Sequence, residues 1–236
     1  MSTERIAVIG GTGDLGLGLA LRWAAEGVPI VIGSRDSARA LQAADHIRKA
    51  VQVASQRPAS AAAPFAEGLT NAEATARATV VVLAVPFTAQ AATLRDIRGS
   101  LADGSFLVDA TVPLAATIGG KPTRMLGVWQ GSAAEQAREI IPAAIPVLAA
   151  FHNVSSEALR DLAHPLDCDV LVCGDDSAAK ERLFPLIQLI AGLRPIDAGP
   201  LELARIVESL TALLISINRR YKVPHAGLRV TGLAQE

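Results

Sequence analysis

Ile6-Ala7-Val8-Ile9-Gly10-Gly11-Thr12-Gly13-Asp14-Leu15-Gly16 is the stretch that decides the fold. Four apolar residues without alternation read as a strand buried on both faces, and the glycines that follow read as a tight turn. Leu15, Leu17, Leu19, Ala20, Leu21 and Trp23 then continue as an apolar-rich helix. Gly11, Gly13 and Gly16 satisfy G-x-G-x-x-G, in which one glycine turns the chain, one admits a phosphate and one lets helix pack on strand. A glycine turn that binds nothing shares this spacing. The strand before it and the helix after it favour a seat for a dinucleotide pyrophosphate, with free N–H groups and a positive dipole end facing the anion.

The second strand, Ile30-Val31-Ile32, ends at Gly33-Ser34-Arg35, where such a fold reads the adenosine ribose. A carboxylate there accepts bonds from a 2'-hydroxyl, whereas arginine accommodates a 2'-phosphate. Ser34 and Arg35, with Arg39 one helical turn on, favour NADP, and Asp36 reads as a helix-start residue.

Residues 37–54 read as a helix, 57–64 as a small-residue linker, and Phe65-Ala66 as a weak strand followed by a helix capped by Asn71. Val80 to Val85 and Phe106 to Asp109 are further buried strands. Ligands in parallel sheets lie beyond strand carboxyl ends, so Val85, Pro86 and Phe87 are candidates to line the cofactor. Residues 115–130 form a long glycine-containing loop, a candidate lid. Ser132 caps a helix, and strands follow at 147–151, 170–173 and 194–197. The acidic pair Asp175-Asp176 caps the helix from Ser177. The last helix, Leu201 to Arg220, carries a broad stripe of Leu203, Ile206, Val207, Leu210, Leu213, Leu214 and Ile217, which must be covered by the core or by a partner, and a homodimer is favoured. Arg205 and Glu208 read as a pair on its polar edge.

Composition narrows the chemistry. The chain has 236 residues, half of them hydrophobic but only 8 aromatic, and a net charge of -1, which with no cluster of Lys and Arg argues against nucleic acid or an anionic membrane. No signal segment or 18-residue apolar run is present, so a cytoplasmic location is expected. Cys168 and Cys173, five apart, are core residues on opposite faces of one strand, and no metal-ligand spacing occurs. The single tyrosine, Tyr221, is followed directly by Lys222, so a Tyr-x-x-x-Lys proton relay is missing. His152, at a strand tip, is the one candidate titrating group, against the plainer reading of a structural hydrogen-bonding residue. A chain equipped to hold two molecules and poorly equipped to shuttle protons suits a reaction whose second partner is itself a redox cofactor.

The sequence resembles the coenzyme F420-dependent NADP oxidoreductases. The resemblance rests on Gly10 to Gly16, Gly33-Ser34-Arg35 with Arg39, Val172 to Asp176, Gly192 to Pro195, Asp197 to Pro200, and Val207-Glu208-Ser209-Leu210-Thr211. It implies an α/β fold with a doubly wound, mostly parallel Rossmann sheet (1–152) and a small C-terminal α/β extension (153–236) ending in the long apolar helix, usually as a dimer. It implies hydride transfer between NADP(H) and the deazaflavin coenzyme F420. Thr12, Gly13, Asp14 and Leu15 would hold the pyrophosphate, and Ser34, Arg35 and Arg39 the 2'-phosphate. Val112, Pro113, His152, Asn153, Val154 and Ser156 would line the cleft where nicotinamide meets deazaflavin. Asn153-Val154-Ser155-Ser156 stands where the family commonly has Thr-Ile-Pro-Ala, and Phe87-Thr88-Ala89 where it has Trp-Glu-His. Both changes fall on the acceptor side, which keeps open a reductase of a small imine or carbonyl, or a non-catalytic NADP(H) sensor.

Overall fold

Apolar runs without alternation fill the centre of the sheet because both of its faces are covered. The computed structural model describes residues 4–54 and 65–233; the expected linker at 57–64 lies outside them. The strands are β1 (Ile6–Ile9), β2 (Ile30–Ser34), β3 (Ala66–Thr70), β4 (Val80–Leu83), β5 (Phe106–Asp109), β6 (Val147–Ala149), β7 (Cys168–Gly174) and β8 (Leu193–Asp197). They form one sheet in the order β3-β2-β1-β4-β5-β6-β7-β8. Neighbours are parallel except β6 and β7, which pair antiparallel through Leu148–Gly174 and Ala149–Cys173. The doubly wound, mostly parallel expectation holds, with the direction reversing between β6 and β7.

One face is covered by α1 (Asp14–Ala25), α2 (Ser37–Ala54) and α7 (Ser177–Gln188), through Leu19, Trp23, Ile47, Leu183 and Ile187. The other is covered by α3 (Asn71–Ala76), α4 (Phe87–Ile97), α5 (Ala133–Ile140) and the start of α8 (Ala204–Tyr221), through Ala74, Leu94, Ile97, Ala134, Ala137 and Val207. Cys168 and Cys173 fall in different faces of β7, as their spacing requires.

The short α6 (Ser156–Arg160) is tied to α1 by a buried guanidinium. Arg22 Nε donates to the Leu159 carbonyl at 2.8 Å, and Nη2 donates to the carbonyls of Ala158 (2.8 Å), His164 (2.9 Å) and Asp161. A helix end without its own partners is thereby satisfied from the neighbouring helix.

Several local expectations change. Thr70, not Asn71, caps α3, in a capping box with Glu73. The fourth strand is shorter than its apolar run: it ends at Leu83, Ala84 and Val85 leave it, and Pro86 caps α4. Asp176 alone caps α7, while Asp175 accepts from the Leu201 N–H at 3.0 Å. The stripe on α8 is only partly buried in the chain's own core: Val207 is in it and Leu203 packs on it, but Ile206 is 60% and Leu213 54% exposed. Among the described residues no helix is long and apolar enough to cross a membrane.

The glycine turn is close-packed. A Cβ on Gly16 would lie 2.7 Å from the Gly10 carbonyl oxygen, which is backbone and cannot swing aside. Gly16→Ala is expected to push α1 off β1 and lower unfolding free energy by roughly 1–3 kcal/mol in a urea titration; unchanged stability would show that the helix has room.

Candidate functional site

The carboxyl ends of β1, β2 and β4 converge on a cavity of about 550 Å³ lined by Gly10, Thr12, Gly13, Ser34, Arg35, Asp36, Arg39, Asn71, Ala84, Val85, Pro86, Ala89 and Thr93. An adjoining space shares Arg35, Asn71, Pro86, Ala89 and Thr93 and extends along α4 to Thr88, Ala92 and Asp96. The chain turns at Gly10, whose φ of +83° suits glycine, and not at Gly11. Gly11 is buried below the cavity, where a Cβ would meet the Ile32 side chain and the Val8 carbonyl. Gly13 is the exposed member, with its nearest neighbour for a Cβ at 3.3 Å, so backbone is open to an approaching anion. It precedes Asp14, the first residue of α1.

Seven expected residues therefore share one cavity: Thr12, Gly13, Ser34, Arg35, Arg39, Val85 and Pro86. Asp36 uses its carboxylate on the Ala38 and Arg39 N–H groups, as a helix-start residue should. Among the described residues neither Arg35 nor Arg39 has an ion-pair partner, so both positive charges are free at the tip of β2. Asn71, expected only as a cap, faces the cavity, and its buried Oδ1 has no partner. This lining can take an anionic group between the arginines and a donor against Asn71 Oδ1, which fits a phosphorylated nucleotide.

Other expected residues lie elsewhere. Asp14 pairs with Arg160 at 2.9 Å, and Leu15 packs on the core. Val112 and Pro113 form the tip of β5, where Leu114 bridges to Met125 and folds the 115–130 segment back as an ordered flap with a short helical turn at Ala115–Ile118. Val154 is buried, and Ser156 opens α6, whose cap is Ser155. Asn153 is turned inward: Nδ2 donates to the Asp169 carbonyl at 2.6 Å, and the residue lines a separate cavity of about 410 Å³ beside His164 and Pro224.

His152 is 4% exposed, and its ring approaches the Asp109 carbonyl without either nitrogen completing a hydrogen bond. Burial pushes its pKa down to about 4, so the imidazole is neutral at neutral pH and does not act there as an acid reservoir. It follows Phe151, whose φ of +71° is unusual for an aromatic residue. The Phe151 ring packs edge-on against Trp23 at 5.7 Å, and Thr211 Oγ1 on α8 donates to the His152 carbonyl at 2.6 Å. The tip of β6 is thus held from both faces of the sheet.

Beneath these tips lies a polar network that the sequence did not disclose. Asp109, fully buried at the end of β5, accepts from Thr111 N (2.7 Å), Thr111 Oγ1 (2.6 Å) and Gln90 Nε2. Gln90 also donates to the Ala133 carbonyl and accepts from Gln136. Burial pushes the Asp109 carboxyl up to about 6, against the hydrogen bonds that lower it. Glu208, expected on a polar edge with Arg205, is instead 1% exposed and accepts from the Ala133 and Ala134 N–H groups at 3.0 Å each, capping α5 from α8. Arg205 pairs with Glu135 at 3.1 Å. Burial raises the Glu208 carboxyl to about 8, with the charges of Asp109 and Glu135 adding to it and the two N–H groups opposing it.

Known proteins share both this sequence and this fold. The family described as NADP oxidoreductase, coenzyme F420-dependent, matches residues 5–113. The F420-dependent NADP reductase of Methanothermobacter thermautotrophicus is 46% identical over 98% of this chain and 97% of its own length. That of Methanocaldococcus jannaschii is 42% identical over 97% and 99%. Among solved structures, a candidate F420-dependent NADP-reductase from Arthrobacter sp. FB24 superposes with a TM-score of 0.79 over 97% of this chain and 99% of its own, at 24% identity. A pyrroline-5-carboxylate reductase from Coxiella burnetii superposes at 0.59 over 93% and 69%, at 13% identity, and shares the fold.

Because the Glu208 pKa is higher folded (about 8) than its ordinary 4.5, the folded state holds the extra proton between these values, and stability falls as pH rises through them. Glu208→Gln is expected to remove a large part of that slope, on the order of a kcal/mol or more, in thermal melts run across this range. An unchanged slope would place the titration elsewhere.

Proposed function

This chain belongs to the F420-dependent NADP reductase family, and from that premise we propose that it transfers hydride between NADP(H) and coenzyme F420, with the protein acting chiefly by holding the two face to face. The observation that carries the nucleotide half is the pair Arg35 and Arg39, without an ion-pair partner among the described residues, on the cavity that also contains Thr12 and Gly13. In this reading the 2'-phosphate sits between Ser34, Arg35 and Arg39. The pyrophosphate sits on Thr12, Gly13 and the start of α1, and Asn71 receives a donor of the adenosine. The nucleotide then runs past Val85 and Pro86 toward Val112, Pro113 and the tip of β6.

When bound, the nicotinamide gives or takes the hydride and the deazaflavin is its counterpart. Residues 1–152 hold the nucleotide, and 153–236 complete the cleft. His152 serves as a neutral wall and hydrogen-bonding group, and Val154 as an apolar contact, so the pH dependence of turnover does not follow the imidazole. The exposed stripe of α8 is covered by a second copy of the chain.

Mixing protein, NADPH and F420 should bleach the visible absorbance of the deazaflavin; no bleaching across neutral and mildly acidic pH would overturn the reading. Arg35→Ala with Arg39→Ala is expected to weaken NADPH by roughly 10- to 100-fold, as for lost bonds to a charged group, while NADH changes little. Equal losses in titrations with the two nucleotides would remove the 2'-phosphate assignment.

A further inference from the structure

Asp109 is a fully buried carboxylate. Among the described residues no Lys or Arg pairs with it. Its hydrogen-bond donors, Gln90 and Thr111, are neutral. The groups near it from the other packed elements supply no positive charge either: His152, beyond the end of β6, approaches its backbone carbonyl and is neutral, Gln136 from α5 bonds to Gln90 and is an amide, and Glu208 from α8, on which the Asp109 charge acts, is an acid. An isolated buried anion is costly, and here it is fixed three residues before Val112, so it lies within roughly 10 Å of that strand tip along the chain.

We propose that Asp109 is the electrostatic counter-charge to the nicotinamide ring, acting through the β5 tip to favour the cationic, oxidised nucleotide over the neutral, reduced one. The inference rests on the placement of the nicotinamide at Val112 and Pro113 given above. Oxidised nicotinamide carries a positive charge and the dihydro form none, so a fixed anion distinguishes them while every contact to adenosine and phosphates is shared. As an order of magnitude, a unit charge roughly 10 Å from any cation across an effective dielectric of about 20 changes that cation's affinity by roughly tenfold. The same field favours charge developing on the ring as NADPH donates its hydride. Thr111 and Gln90 hold the carboxylate in place, which gives a function to a network whose burial is otherwise only a cost.

The test is the ratio of NADP+ to NADPH affinity, measured by calorimetric titration of each nucleotide with wild-type protein from about pH 5 to about pH 7.5. The 2'-phosphate titrates in both nucleotides and cancels in the ratio. The Asp109 carboxyl loses its proton near 6, so the ratio is expected to rise in favour of NADP+ by up to about tenfold as pH increases through that value. Asp109→Asn should flatten the curve at its low-pH level while retaining NADPH binding. A ratio independent of pH in the wild-type protein, or a curve unchanged by Asp109→Asn, would overturn the inference; the wild-type series decides the matter if the variant does not fold. Failure of both nucleotides to bind would overturn the functional reading as well, and is distinguished from a flat ratio by the absence of any heat of binding.

Discussion

Everything at this site depends on one close approach, that of α1 to the end of β1 at Gly10 and Gly16. Backbone lies against backbone there, so the helix N-terminus can stand directly over the strand tip. The same contact sets the level at which the tips of β2 and β4 end beside it. A side chain at Gly16 would press on the Gly10 backbone and separate helix from sheet, and one at Gly10 would meet the Ala84 carbonyl and the Val85 side chain after β4, so the glycine turn, the arginine tip and the Pro86 wall would no longer face one space.

The parts of the fold that the sequence disclosed are those whose signal is local. An unbroken apolar run reads as a two-sided buried strand, and a serine or aspartate before a helix reads as its cap, as at Ser132 and Asp176. The arginine tip was legible because its charge and its place after β2 are both sequence properties. Glu208 was not. Helical spacing puts it near Arg205, but tertiary packing turned it onto the N-terminus of another helix, and nothing local distinguishes those outcomes. Asn71 was legible as a helix-start residue, but Thr70 was the better cap, which left the amide free for the cavity. Asn153 was assigned by resemblance at a position where this chain departs from the common pattern, and it turned toward β7 instead.

The two ends of the cleft use charge in opposite ways. At the tip of β2, two arginines stand exposed, with no ion-pair partner among the described residues. At the other end the polar groups are buried, acidic or neutral, and bonded among themselves. His152 has been stripped of its readiness to take a proton by the same burial that holds it in place. A site of this kind controls geometry and field, and leaves bond-making to what it binds.

The antiparallel entry of β7 has a consequence for which parts of the chain meet at one edge of the sheet. Because β7 and β8 run against the first six strands, it is their beginnings, Cys168 and Leu193, that lie on the same edge as the carboxyl ends of β1 to β6. The connections leading into them, 150–167 and 189–192, therefore reach that edge from a different part of the chain than the turns after β1, β2 and β4. One edge of the sheet is thus written by two separate pieces of chain, joined where Arg22 and Asp14 of α1 hold α6.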